Sequence, residues 1–173
     1  MRKSVFILAC FLQLTLFAQD AQNCNCCSED HRAFDFWIGE WEVVNSQDGS
    51  PAGSSSIAKE EDGCVIRENW TSANAGYTGT SLNFFNAQTN QWEQLWVDNA
   101  GAVLKLKGNR KGDQMILASG AFEKDGKTYT NRITWTKNDD GTVRQLWEVL
   151  ENNGTATIAF DGLYRKVQKA KNR

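Results

Sequence analysis

Glycine-bearing turns set the rhythm of this chain. Asp48-Gly49, Asp62-Gly63, Asn99-Ala100-Gly101, Lys111-Gly112-Asp113, Asp125-Gly126, Asp140-Gly141 and Asn153-Gly154 each supply a residue that tolerates positive φ, which tight hairpins require. Between them lie runs rich in Val, Ile, Thr, Phe, Tyr and Trp, recurring about every ten to twelve residues, the signature of an antiparallel sandwich or barrel. This predicts about ten strands, near 37–45, 53–60, 64–73, 77–86, 91–98, 102–108, 114–123, 127–136, 142–150 and 156–166. The segment 53–60 has the least apolar drive, because Ser54-Ser55-Ser56 occupies its centre.

Meandering strands with no helices to cover them must close or stack, and closure removes exposed edges. The expected fold class is therefore all-β, a single antiparallel up-and-down barrel over residues 37–166. The one helix candidate is Ser28 to Phe36, where Ser28-Glu29-Asp30 suits a helix start and Phe34 and Trp37 fall on one side. Such a short turn, with the Cys-rich segment 19–36 around it, would act as a plug or lid.

The N-terminus reads as a leader. Met1-Arg2-Lys3 is basic, Val5 to Phe17 is almost uninterruptedly apolar, and Ala18 offers a small residue for cleavage, so residues 1–18 form a signal peptide too short for a membrane span. The expected location is secreted or periplasmic, with no transmembrane segment after leader removal. Losing Arg2 and Lys3 makes a net charge of −2 more negative still. That balance argues against a nucleic-acid partner, which needs a basic face. The basic tail 167–173 reads as a solvated end.

Four cysteines follow the leader, Cys24, Cys26, Cys27 and Cys64. An even number in an oxidising compartment points to disulfides. Cys27 lies nearest the folded domain and is the preferred partner of Cys64. A metal cluster of Cys24, Cys26, Cys27 and His31 is the rival reading, but the spacing lacks paired C-x-x-C knuckles, so no metal is expected.

The stretch Phe34-Asp35-Phe36-Trp37-Ile38-Gly39-Glu40-Trp41 and the closing Leu163-Tyr164-Arg165 resemble the calycin superfamily of lipocalins and fatty-acid-binding proteins. The resemblance implies that Trp41 packs at the closed end of a barrel with Arg165 lying across it, a cation–π pairing. A wider match takes in Cys27 to Trp41, Gly63-Cys64-Val65 with Glu68-Asn69-Trp70, and Trp96-Val97-Asp98-Asn99. It continues through Gln145-Leu146-Trp147-Glu148 and Phe160-Asp161-Gly162-Leu163-Tyr164. On these residues the chain resembles a family of secreted bacterial proteins described as a domain of unknown function. That resemblance implies a fold and a compartment, and no activity.

Alternate residues of a barrel strand face inward. On 64–70 the two stripes are Cys64, Ile66, Glu68, Trp70 and Val65, Arg67, Asn69. On 92–98 they are Trp92, Gln94, Trp96, Asp98 and Glu93, Leu95, Val97, and on 143–149 Val143, Gln145, Trp147, Val149 and Arg144, Leu146, Glu148. Trp and polar groups share stripes, whereas a fatty-acid cavity should be mostly aliphatic. The expected ligand site is an aromatic cavity walled by Trp70, Trp96 and Trp147, with polar anchors among Glu68, Asn83, Gln94, Asp98, Arg132, Gln145 and Glu148. The competing reading is a narrow barrel that fills itself with these side chains and buries an ion pair, Arg132 or Arg144 with Glu68 or Glu148.

Catalysis has the thinner case. No G-x-S-x-G, P-loop or H-E-x-x-H element occurs. The one histidine, His31, lies outside every expected strand as an exposed residue of the entry turn, which disfavours both a triad and haem, so no cofactor is expected. The expected function is binding of a small aromatic or amphipathic molecule. The alternatives are an enzyme using the polar interior, Glu68 and Arg132 foremost, for lyase, isomerase or hydrolase chemistry, and an envelope interaction module with a solid barrel.

Overall fold

The computed structural model describes residues 24–167. The leader expected over 1–18 and nearly all of the tail 167–173 lie outside the described residues. The strands are β1 (Gly39–Asn45), β2 (Pro51–Glu60), β3 (Val65–Ser72), β4 (Thr78–Asn86), β5 (Gln91–Asp98), β6 (Val103–Lys111), β7 (Gln114–Ala118), β8 (Phe122–Lys124), β9 (Lys127–Lys137), β10 (Val143–Glu151) and β11 (Ala156–Lys166). All pairings are antiparallel. The sheet order is β10-β11-β1-β2-β3-β4-β5-β6-β7-β9-β8, and β10 also pairs with β9. Ten strands thus close into an up-and-down barrel, the expected fold.

The eleventh strand is a departure. The expected strand 114–123 breaks after Ala118, and β8 leaves the wall to form a hairpin with β9. Ser119 causes the break, because its Oγ accepts from the Asn131 backbone N–H and its own N–H donates to the Asn131 carbonyl. The hairpin turns on Asp125 and Gly126, both at positive φ, as the Asp-Gly pair dictates. The serine-rich segment is a full strand, β2, because Ser55 and Ile57 face the core while Ser54 and Ser56 face away.

The N-terminal segment seals one end. Ser28 caps the short helix α1 (Glu29–Arg32) by accepting from the His31 backbone N–H, and a single 3₁₀ turn, Asp35–Trp37, follows. Phe34 and Trp37, both fully buried, stack at 4.9 Å, and Trp135 packs against both at 5.2 and 5.3 Å. Trp92 meets Phe34 edge-on and donates to the Asp30 carbonyl. His31 is half-buried here, its ring edge-on to Phe85 and its Nδ1 bonded to Ser28 Oγ, rather than exposed.

Two disulfides brace this plug: Cys26–Cys64 ties it to the start of β3, and Cys24–Cys27 closes within it. The expected Cys27–Cys64 bridge is corrected. Nearness along the chain was the wrong criterion, because the tight Cys24–Cys27 closure consumes Cys27 and leaves Cys26 beside Cys64, with Cα atoms 5.0 Å apart. The thiolates that the rival metal cluster required are thereby taken up. The Trp41 expectation is corrected too. Its indole is buried at the closed end and donates to the Trp37 carbonyl, but the cation over it is Lys166, 5.2 Å from the ring centroid. Cross-strand register decides this: Trp41 lies opposite Lys166, while Arg165 lies opposite Glu42 and is exposed on the outer face.

Candidate functional site

At the other end, the barrel opens. A cavity of about 540 Å³ runs inward from the loops after β1 and β3, lined among others by Glu68, Trp70, Gln94, Trp96, Ile133, Gln145, Trp147, Phe160 and Tyr164. Exposed apolar side chains stand around this end, Tyr77, Val103, Phe122 and Ile158.

The aromatic walls are shaped by glycines. A Cβ added at Gly79 would overlap the Trp96 ring, one at Gly53 would come within 2.7 Å of the Trp70 ring, and one at Gly162 within 2.6 Å of Phe160. Each ring therefore lies over a backbone gap on its own or a neighbouring strand. The register sets the first of these up, since Gly79 lies opposite Asp98 and Ser81 opposite Trp96 on β5. Trp70 also meets Phe160 edge-on at 5.9 Å and Tyr164 at 6.5 Å. Tyr164 in turn contacts Trp37 and Trp41 of the plugged end, so it divides the plug from the cavity.

Glu68 lies in the interior of β3, only 4% exposed. Ser55 Oγ donates to Oε1 and Ser81 Oγ to Oε2, both at 3.0 Å. The chain continues outward from Ser81. Asn83 Nδ2 donates to Ser81 Oγ at 2.9 Å and to the Ile66 carbonyl, and Gln94 Nε2 donates to Asn83 Oδ1 at 2.7 Å. All donors in the relay Gln94, Asn83, Ser81 point toward the carboxyl. No cation faces it among the described residues, and each ion pair described involves another acid. Burial raises its pKa from 4.5 to about 7, against the lowering effect of the two serine hydrogen bonds. Tyr164, buried beside it and donating to Gln145 Oε1, is pushed well above the ordinary phenol value, first by burial and then by the Glu68 charge.

The other expected anchors are distributed unevenly. Glu68, Trp70, Gln94, Trp96, Gln145 and Trp147 line the cavity. Asn83 is fully buried behind it, as a link in the Glu68 relay. Asp98 is at the rim, where it accepts from the Ala100 and Ala102 backbone N–H groups and the Tyr77 hydroxyl; these bonds, the Ala102 one foremost, hold its pKa down. It serves the turn. Arg132 and Glu148 are corrected outright. They lie opposite each other on the outer face of β9 and β10 and pair there at 2.9 Å. Arg144 likewise pairs outside, with Asp161 at 2.7 Å. The buried ion pair of the self-filled reading is therefore absent among the described residues.

Sequence reasoning missed Tyr164, Phe160, Ser55 and Ser81. The first two share an inward stripe with Gly162, and this large-small alternation was the available signal. The serines carried none, since a serine on a strand signals nothing until its cross-strand partner is known.

Closed antiparallel barrel, aromatic plug at one end, acid-bearing cavity at the other: these define a barrel of the cavity-bearing kind. The sequence itself matches no family model and no curated protein. No helix among the described residues is long and apolar enough to cross a membrane.

Proposed function

We propose that this is a secreted or periplasmic, calycin-like barrel that binds one small aromatic or amphipathic molecule in its open end. The observation that carries this reading is the 540 Å³ cavity walled by Trp70, Trp96, Trp147 and Phe160. Ligand sites favour such concave, largely apolar spaces with a few convergent polar groups, and barrel mouths are a usual place for them. Two disulfides suit an oxidising compartment. Tyr77, partly exposed at the rim, adds an aromatic ring to the mouth.

An acid that titrates near neutrality is also a reasonable general acid or base, which keeps the enzyme reading in view. Binding is preferred because the cavity lining holds no Lys, Arg, His or second carboxyl to work with Glu68, and Arg132, the expected helper, faces outward. The open cavity counts against the interaction-module reading, which needs a solid barrel.

The neutral fluorophore N-phenyl-1-naphthylamine tests the reading. One molecule per chain should bind saturably and quench Trp emission, and Trp147→Ala should weaken it. Absence of saturable binding to the folded protein would overturn the reading.

A further inference from the structure

The cavity is chemically lopsided. Its lining includes one carboxyl, Glu68, and two phenols, Tyr77 and Tyr164, but no Lys, Arg or His. A barrel that carries fatty acids or other carboxylates needs a cation, or donors alone, where the head group ends. Here that position holds an acid.

Glu68 also has unused capacity. Each of its oxygens accepts one serine hydroxyl, and an ionised carboxylate offers about four lone-pair sites. The charged and titratable groups facing it are few: Ser55 arrives from β2, Ser81 from β4 and the Tyr164 phenol from β11. None supplies a positive charge. A buried charge of this kind is costly until it is paired. Aromatic rings, Trp70 among them, line the same cavity, and the π-face of such a ring attracts a cation.

We infer that the cavity selects a protonated organic amine on an aromatic body, the ammonium seated against Glu68 and the body between the tryptophans. This rests on the binding reading above and deepens it by naming the charge of the ligand. The ammonium replaces the missing counter-charge, donates to the free carboxylate lone pairs and meets the ring faces. A ligand carrying a carboxylate would instead be driven against a like charge in a poorly solvated space.

The test is a matched series with one ring system and three head groups: tryptamine, indole-3-propionamide and indole-3-propionate, titrated at pH 8 by calorimetry. Tryptamine should bind at least about tenfold more tightly than the amide, the scale of a charge-assisted hydrogen bond, and the acid should bind most weakly. In Glu68→Gln, which keeps the shape and one serine donor while the other serine must turn to accept from the amide N–H, the amine preference should collapse to within about twofold. Equal affinities across the series, or tighter binding of the acid, would overturn the inference while leaving the cavity a binding site. Failure of all three indoles together with N-phenyl-1-naphthylamine would overturn both. The wild-type series decides the matter even if the variant folds poorly.

Discussion

The two ends of this barrel use the same residue types to opposite effect. At the plugged end Phe34, Trp37, Trp92 and Trp135 pack ring against ring, sealed by a disulfide-tethered segment. At the open end Trp70, Trp96 and Phe160 lie over glycines and face a cavity. Aromatic content alone thus says nothing about core or ligand wall. The neighbours decide: at the plugged end the rings fill the space in front of one another, and at the open end glycines let the rings lie back against the wall and leave room before them.

The sharpest way to break this contrast is to truncate one tryptophan at each end. Trp37→Ala should cost about 3–5 kcal/mol, the usual loss for a large buried aromatic, whereas Trp147→Ala, partly exposed and lining open space, should cost far less. Chemical denaturation of both variants checks this, and equal losses would erase the distinction. Replacing both Cys26 and Cys64 by Ser should cost about 4 kcal/mol in the chain-entropy model, through a 38-residue separation. Removing Cys24–Cys27, only three residues apart, should cost less.

Glu68 gives the contrast a pH signature. Its folded pKa, about 7, lies above the ordinary 4.5. The native state therefore holds a proton that the unfolded chain has released, and the associated stability is complete below pH 4.5 and lost as pH rises through 7. The loss should reach about 3 kcal/mol at pH 8. Glu68→Gln should recover most of it at pH 8 and change little at pH 4, as melting curves at the two values would report. Next in size, Gly79→Ala should push the Trp96 ring from its gap, costing about 1–3 kcal/mol and weakening binding of N-phenyl-1-naphthylamine. Smallest of all, Arg132→Ala should cost no more than about 1 kcal/mol and leave that binding unchanged, because its pair with Glu148 is on the outer face.

Strands and turns were legible because hairpin glycines and β-rich runs repeat on a scale the chain cannot hide. Inward-facing phase was harder to read. Trp147 and Glu148 were both expected inside, yet adjacent strand residues point to opposite faces, so accepting the tryptophan already placed the glutamate outside. Arg132 beside Ile133 repeats the lesson. Glu68 stood out as an acid sharing a stripe with Ile66 and Trp70, but its isolation from any cation depends on register across β2, β3 and β4, which no local pattern encodes. The cysteine pairing failed for a related reason, since direction of approach outweighs distance along the chain.

The most direct test of the central claim, a buried carboxyl without a counter-charge at the heart of an open cavity, is to titrate Glu68 by carboxyl ¹³C NMR, assigned through Glu68→Gln. A midpoint about 7, moving down when tryptamine is added, is the predicted result. A midpoint in the ordinary carboxylate range for the free protein would contradict it, since Glu68 would then be hydrated or paired.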